Sequence, residues 1–203
     1  MHTTLDYSPN FDIKKRKVKD IKFVVFHYTG MKNEKEATKK LTNSDSKVSS
    51  HYLIKNKGEI ISLVPDLYVA WHAGISSWKK YESLNNYSIG IEISNPGHNF
   101  KYKKFSENQI NSIIKLSKFL IKKYRIKPEN FLGHSDIAPD RKIDPGEKFP
   151  WKFLAKKKIG YWHNINNQIL FDQRCVKISN SEKKKFIKNL EKIENSKNYK
   201  INK

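Results

Sequence analysis

The order of apolar and polar residues along the chain predicts strands alternating with helices between residues 21 and 134. A near-continuous apolar run at 21–28 is typical of a central strand that is buried on both faces. Apolar runs at 51–55 and 59–64 flank an Asn-Lys-Gly turn, which predicts a β-hairpin. Further short apolar runs predict strands at 88–93 and 131–134.

Two segments carry helical periodicity. Residues 34–41 form a short, weakly amphipathic pattern, and residues 106–124 have a largely apolar face repeating every three to four positions. Ser106 and Gln109 have the spacing of a capping box, which marks the start of the longer helix. Strands interleaved with helices indicate the α/β class, with a central mixed β-sheet flanked by helices.

The composition divides the chain into three parts. Residues 1–20 are polar and basic and predict an extended N-terminal lead-in, residues 21–162 carry the main domain, and residues 163–203 form a basic, partly helical extension. Its helix is expected at 181–195. Within the main domain, residues 65–86 form a long connection rich in aromatic residues, which is typical of a binding loop.

The formal net charge of +21 predicts attraction to polyanions, such as nucleic acid, an anionic membrane face or an anionic cell-wall polymer. The lysines are spread along the chain, so a lysine-rich composition with simply solvated side chains explains the charge equally well. No recognition helix or base-stacking sheet motif accompanies the charge, and specific nucleic-acid binding is not expected.

Cys175 is the only cysteine, which excludes an internal disulfide and a thiolate metal cluster. Any metal site must therefore use histidine and carboxylate ligands. No apolar run approaches the roughly 20 residues that a membrane span requires. Residues 1–7 lack the apolar core of a signal peptide, which predicts a cytoplasmic protein as the sequence stands, or a periplasmic or secreted one if an export signal has been removed.

The densest polar segment is residues 133–146 (GHSDIAPDRKIDPG), directly after an apolar run. His134 opens this segment and Asp144 lies near its end, while His27 ends the predicted central strand. Zinc at a hydrolytic site takes three such ligands plus a water, whose pKa it lowers to about 7. From spacing alone, structural roles for both histidines remain open.

Two further residues have the chemistry of catalytic groups. Glu92 interrupts an otherwise apolar strand, where a carboxylate is costly unless it is paired or used, so it is a candidate general base. A structural ion pair with a lysine is equally compatible with its position. Lys142 can stabilise a developing oxyanion, although a solvated lysine is the simpler interpretation in this composition.

The motif at 70–74 (AWHAG) places Trp71 and His72 between small residues, which suggests the wall of a ligand groove. His51 opens a hairpin strand and fits a structural role.

Together these segments resemble the zinc-dependent N-acetylmuramoyl-L-alanine amidases of the AmpD/AmiD type, relatives of the peptidoglycan recognition proteins. The resemblance covers residues 8–162 in family order. It is carried by residues 8–11 (SPNF), 26–30 (FHYTG), 48–52 (VSSHY), 70–74, 89–92 (IGIE), 133–146, 149–151 (FPW) and 159–162 (IGYW).

The resemblance implies that residues 21–162 are a zinc amidase domain with the AmpD/peptidoglycan-recognition-protein-like fold. It implies one Zn²⁺ per chain, held by His27, His134 and Asp144, with Glu92 activating water and Lys142 stabilising the tetrahedral intermediate. The implied substrate is peptidoglycan or its muropeptide fragments, cleaved between N-acetylmuramic acid (or anhydro-muramic acid) and L-alanine.

Substrate contacts are expected from Tyr28, Trp71, His72 and Asn95. A departure is Asp140, where many relatives carry glycine. A non-catalytic peptidoglycan-binding protein is the alternative, but such relatives typically lose a metal ligand, whereas all the ligand positions are present here.

Overall fold

The fold is described from a computed structural model, which describes residues 3–163 together with residues 166, 168, 169, 179 and 181. The chain divides into two units, Met1–Trp162 and His163–Lys203. The helix predicted at 181–195 and most of the basic extension lie outside the described residues.

The strands and helices are labelled in chain order. The strands are β1 Thr4–Leu5, β2 Phe11–Asp12, β3 Phe23–Tyr28, β4 Tyr52–Ile54, β5 Ile60–Ser62, β6 Val69–Ala70, β7 Ser77–Trp78, β8 Tyr81–Glu82, β9 Ser88–Ile93 and β10 Phe131–Gly133. The α-helices are α1 Glu34–Thr42, α2 Glu107–Tyr124, α3 His134–Ile137 and α4 Trp151–Ala155.

A mixed sheet forms the centre of the fold, with strand order β1-β5-β4-β9-β3-β10. The central strand β3 is parallel to both β9 and β10, and β4 is parallel to β9. The predicted hairpin is confirmed as the antiparallel pair of β4 and β5. Because β3, β9 and β10 are parallel, their carboxyl ends meet at one edge of the sheet.

The two faces of the sheet differ in what they bury. Helix α2 packs on one face, where its side chains Ile113, Leu116 and Leu120 join Val24 and Phe26 in the main core. The predicted capping box is confirmed, since the Ser106 and Gln109 side chains and backbones bond reciprocally at the start of α2.

The opposite face has a smaller apolar cluster, which includes Phe23, Val25 and Leu132. Toward the carboxyl ends of the strands this face becomes polar, at Glu92 on β9 and at His27 on β3. The polar end of this face carries the candidate site.

The segment 65–86, predicted as a long connection, contains short strands. Strand β6 pairs with β2, and β7 pairs with β8, both antiparallel. Residues 1–20, predicted as an extended lead-in, contribute to the hydrogen-bonded structure of the domain, since β1 joins the main sheet and β2 joins β6. The segment ends in a short 3-10 helix, Val18–Asp20.

Arg16 in the lead-in reaches into the interior. Its guanidinium donates hydrogen bonds to the carbonyl oxygens of Asp66 at 2.8 Å, Asn85 at 2.9 Å and Ser88 at 2.7 Å. Burial lowers the pKa of this guanidinium to about 10. Arg16 therefore ties the lead-in to the loop before β9 and to β9 itself.

Among the described residues, no helix combines the length and apolar character needed to cross a bilayer.

Candidate active site

The parallel register of the sheet aligns the predicted catalytic residues. His27 on β3 is the direct partner of Glu92 on β9. On the other side of β3, Gly133 pairs with Phe26, and His134 follows immediately. The strand predicted at 131–134 ends one residue earlier, because the Asp136 carboxylate accepts the Gly133 N–H at 2.7 Å and His134 starts α3.

Three ligand atoms form a small triangle at this edge. The Nδ1 atoms of His27 and His134 lie 2.9 Å apart. Each of them lies 3.1 Å from Oδ2 of Asp144. All three residues are buried, so two ring nitrogens and one carboxylate oxygen converge on a single point away from bulk water.

This triangle fits a metal ion. Zinc bonds of about 2.0–2.1 Å in tetrahedral geometry require ligand atoms separated by about 3.3 Å, close to the distances observed. Nitrogen and oxygen donors in this arrangement favour a borderline metal such as zinc over a hard ion held by oxygens alone. The buried histidine–aspartate cluster is therefore able to hold a metal ion, with one coordination position left for water or substrate.

The loop after His134 folds back to complete the triangle. The Ser135 N–H donates to the Asp144 carbonyl oxygen at 2.9 Å, which joins the two ends of the loop. Gly133 is needed for this closure, because a Cβ at that position would lie 2.8 Å from the Pro145 ring. The guanidinium of Arg141 also donates to the carbonyl oxygen of Ala73 at 2.5 Å and to that of Ile75, so it anchors the loop.

The protonation states of the ligands suit a cation. Burial and the neighbouring His134 lower the pKa of His27 to about 4, so its ring is neutral at pH 7. Burial alone would raise the pKa of Asp144, but the neighbouring rings of His134 and His27 outweigh burial and hold this pKa well below its ordinary range. A neutral imidazole and an ionised carboxylate are the forms that bind metals.

Glu92 lies beside the triangle without a partner of its own. Its Oε2 is buried, and within the described residues no group hydrogen-bonds to it. Burial and the negative charge of Asp144 raise the pKa of Glu92 to about 8. The sequence also allowed a structural ion pair between Glu92 and a lysine. Among the described residues, Glu92 forms no such ion pair.

A groove of about 440 Å³ opens over the triangle. Glu92, Lys142, Tyr28, Trp71 and His72 line it together with the metal-site residues. Within residues 3–163 no acceptor binds the Lys142 ammonium. The Trp71 indole N–H donates to Asp12 Oδ1 at 2.8 Å, which fixes the ring at the groove wall. Tyr28 Oη lies 2.9 Å from Nδ1 of His98.

Two of the residues expected to contact substrate are engaged elsewhere. The amide of Asn95 donates to the Lys103 carbonyl at 2.8 Å and accepts from the Gly97 N–H at 3.1 Å, and Asn95 does not line the groove. Its geometry therefore favours a role in its own loop. His72 is 8% exposed, and both of its ring nitrogens have partners, His27 and Ser88.

His51 is buried, as its predicted structural role requires, with its Nδ1 accepting the Gly90 N–H at 3.0 Å. Asp140 is exposed, and its φ lies outside the left-handed region that favours glycine. Position 140 therefore does not adopt a conformation that requires glycine, but nothing in the structure explains the carboxylate of Asp140.

Comparison with known proteins identifies the family. The sequence model described as N-acetylmuramoyl-L-alanine amidase matches residues 17–147. The chain belongs to this amidase family. The match includes His27, Glu92, His134 and Asp144, and it ends just after the loop that completes the triangle.

Individual relatives agree with this membership. The chain is 45% identical over 154 residues to the N-acetylmuramoyl-L-alanine amidase AmiD of Escherichia coli, covering 70% of this chain and 55% of that protein. It is 40% identical over 105 residues to the 1,6-anhydro-N-acetylmuramyl-L-alanine amidase AmpD of Escherichia coli, covering 52% of this chain and 55% of the relative. The chain thus spans just over half the length of these relatives.

Two solved structures have the same fold. A complex of Escherichia coli AmiD with anhydro-N-acetylmuramic acid-L-Ala-D-γ-Glu-L-Lys matches with a TM-score of 0.66 at 40% identity, covering 77% of this chain and 64% of that one. AmpDh3 from Pseudomonas aeruginosa, in complex with an anhydromuramic pentapeptide, matches with a TM-score of 0.68 at 32% identity, covering 90% of this chain and 78% of the other.

Proposed function

We propose that this chain is a zinc-dependent N-acetylmuramoyl-L-alanine amidase. It hydrolyses the amide bond between N-acetylmuramic or anhydro-muramic acid and L-alanine in peptidoglycan or its fragments. The observation that carries the proposal is the triangle of His27, His134 and Asp144 next to Glu92, whose buried Oε2 has no hydrogen-bond partner among the described residues. Family membership and the two muropeptide complexes of relatives support the substrate class.

His27, His134 and Asp144 hold the metal in this proposal. Zinc at this position supplies Lewis acidity toward the substrate carbonyl and lowers the pKa of a water to about 7. The lowered pKa values of His27 and Asp144 leave these two ligands in the forms that bind a cation at neutral pH.

Glu92 moves the proton. A carboxyl group with a pKa near neutrality can accept a proton from the attacking water and return it to the leaving amine. Its unpartnered Oε2 is free for this exchange. Lys142, which lines the same groove, donates a charge-assisted hydrogen bond to the carbonyl oxygen as negative charge develops there.

The test uses purified full-length protein. Metal analysis should find about one zinc per chain, bound to wild type and lost from Asp144→Ala. Mass spectrometry of digests should detect stem peptide released with a free L-alanine amino group, and a chelator should abolish the release. Retention of full activity by the metal-free protein would refute the mechanism.

Intact peptidoglycan and isolated anhydro-muropeptides should be digested side by side, because the comparison shows whether the enzyme cleaves the intact polymer or its fragments. A non-catalytic binder would retain muropeptide affinity and release no product from either substrate. The intact ligand set and the unpartnered Glu92 favour hydrolysis over binding alone.

The net charge of +21 supports a second, weaker association with anionic cell-wall polymers. Binding to such a polymer in a sedimentation assay should fall steeply as salt rises from 50 to 500 mM, since it rests on screened charges. Salt-independent binding would contradict an electrostatic origin.

A further inference from the structure

His72 is a buried polar neighbour of the metal triangle that carries no catalytic role. Its Nδ1 lies 3.0 Å from Nε2 of His27, on the side of that ring opposite to the triangle. Its Nε2 lies 3.2 Å from Ser88 Oγ. The Ser88 hydroxyl donates to the carbonyl oxygen of Leu84 at 2.6 Å. These contacts form a continuous chain from a backbone carbonyl to a metal ligand.

The hydrogen bonds that link Leu84, Ser88, His72 and His27 determine the tautomer of both histidine rings. The single hydroxyl proton of Ser88 is used on Leu84, so Ser88 can only accept a hydrogen bond from His72 Nε2–H. A neutral His72 then has no proton on Nδ1 and must accept from His27 Nε2–H. His27 is consequently left with an unprotonated Nδ1, the atom that points into the triangle.

The packing of His72 is as specific as its hydrogen bonds. The ring lies against β9 at Gly90, where an added Cβ would lie 2.4 Å from Cγ of His72. The backbone N–H groups of His72 and Ala73 both donate to Asn85 Oδ1, at 3.1 and 2.7 Å. The His72 ring therefore packs directly against Gly90, and the backbone hydrogen bonds to Asn85 fix the position of the segment that carries it.

The same segment supports the second ligand histidine. Nε2 of His134 lies 3.0 Å from the Ala73 carbonyl oxygen, which can only accept, so His134 also carries its proton on Nε2 and leaves Nδ1 free for a metal. Two adjacent residues thus set the tautomers of both ligands, His72 through its side chain and Ala73 through its carbonyl.

We propose that His72 is a positioning residue that holds His27 in the tautomer presenting Nδ1 to the metal, through the chain Leu84–Ser88–His72–His27. The inference rests on the proposed metal site. It differs from the substrate contact expected from the sequence, because both ring nitrogens are already used within the protein.

The experiment compares His72→Leu, which removes the acceptor, with His72→Asn, whose side-chain oxygen can replace Nδ1. Zinc affinity is measured by competition with a chromogenic chelator. His72→Leu should weaken zinc binding by about 10- to 100-fold, and His72→Asn should recover most of the loss. The second readout is the set of ring ¹⁵N chemical shifts of His27 in the metal-free protein, which distinguish the two neutral tautomers.

Ser88→Ala provides a variant that keeps the His72 ring, and it should weaken zinc binding by less than His72→Leu while mixing the His27 tautomers. Its matched control is Ser117→Ala, which removes another fully buried serine hydroxyl, in α2. If His72→Leu does not fold, Ser88→Ala and the tautomer measurement decide the question.

Unchanged zinc affinity and an unchanged His27 tautomer in the folded variants would overturn the proposal. A rise in KM alone would assign His72 to substrate binding instead.

Failure of the proposed function would give a different result. If wild type binds no zinc, the metal centre is wrong, and the His27 tautomer in wild type and Ser88→Ala still tests the hydrogen-bond chain.

Discussion

Replacing Glu92 by glutamine should stabilise the metal-free protein at high pH and lower the turnover of the zinc-bound protein. In the folded protein, burial and Asp144 raise the pKa of this carboxyl group from 4.5 to about 8. A folded pKa above the unfolded one means that the folded state binds more protons. Ionisation of Glu92 therefore lowers the free energy of unfolding progressively between about pH 4.5 and pH 8, and the loss is complete above pH 8.

The size of this change in unfolding free energy follows from the difference between the folded and unfolded pKa values of Glu92. At 1.36 kcal/mol per pH unit, a change from 4.5 to about 8 sets an upper limit of roughly 5 kcal/mol. Solvent reaches part of the Glu92 side chain through the groove, so we expect about 2 kcal/mol. Glutamine carries no charge at any pH and keeps the size of the side chain.

The assay is urea unfolding of the metal-free proteins at pH 4.0 and pH 8.5. Wild type and Glu92→Gln should be of nearly equal stability at pH 4.0, below the unfolded pKa of 4.5, and the variant should be more stable by about 2 kcal/mol at pH 8.5. The control is Glu82→Gln, which alters an exposed carboxylate and should produce no pH-dependent difference. Turnover by Glu92→Gln should fall by about 10²- to 10⁴-fold with zinc still bound.

A stability difference that is the same at both pH values would refute the reasoning. Lower stability of Glu92→Gln at pH 8.5 would refute it more strongly, because it would mean that the ionised carboxylate has a favourable partner. The lysine ion pair considered from the sequence would then be the correct explanation of the residue.

Other variants test neighbouring parts of the site. Gly90→Ala should destabilise the fold by about 1–3 kcal/mol in urea unfolding, since its Cβ would overlap the His72 ring; equal stability would contradict the close packing. Lys142→Ala should lower kcat by about 100-fold without loss of zinc, whereas the exposed-site control Lys104→Ala should not change kcat. Trp71→Ala should raise KM several-fold and leave kcat nearly unchanged, and a drop in kcat alone would place the ring outside the substrate-binding wall.

Features set by residues close in sequence could be predicted. The capping box of Ser106 and Gln109 is a contact over three positions, and it marked the start of α2 correctly. The strand at 88–93 was predicted with the observed bounds, because a run of apolar residues ended by a turn carries its own signal. His27 and His134 could be named as candidate ligands for a similar reason, since each lies at the end of an apolar run.

Features set by long-range contacts could not be predicted from one sequence. The burial of Arg16 depends on carbonyl groups 50 and more residues away. The motif of His72 suggested a groove wall, and the residue does line the groove. The positioning role proposed for it depends in addition on where its ring lies relative to β9. One signal was available, because Ser88, Gly90 and Glu92 alternate along β9 and therefore share one face. Their small or polar side chains indicated that something packs closely there.

The wide separation of the metal ligands along the chain has a consequence for folding. His27 is 107 residues from His134 and 117 from Asp144, and the three ligands meet only when β3 and β10 are already side by side. The unfolded chain therefore offers no local segment that carries all three ligands, in contrast to a zinc finger, whose ligands lie on one short segment. A metal that binds only the assembled sheet should slow unfolding and leave the rate of refolding unchanged.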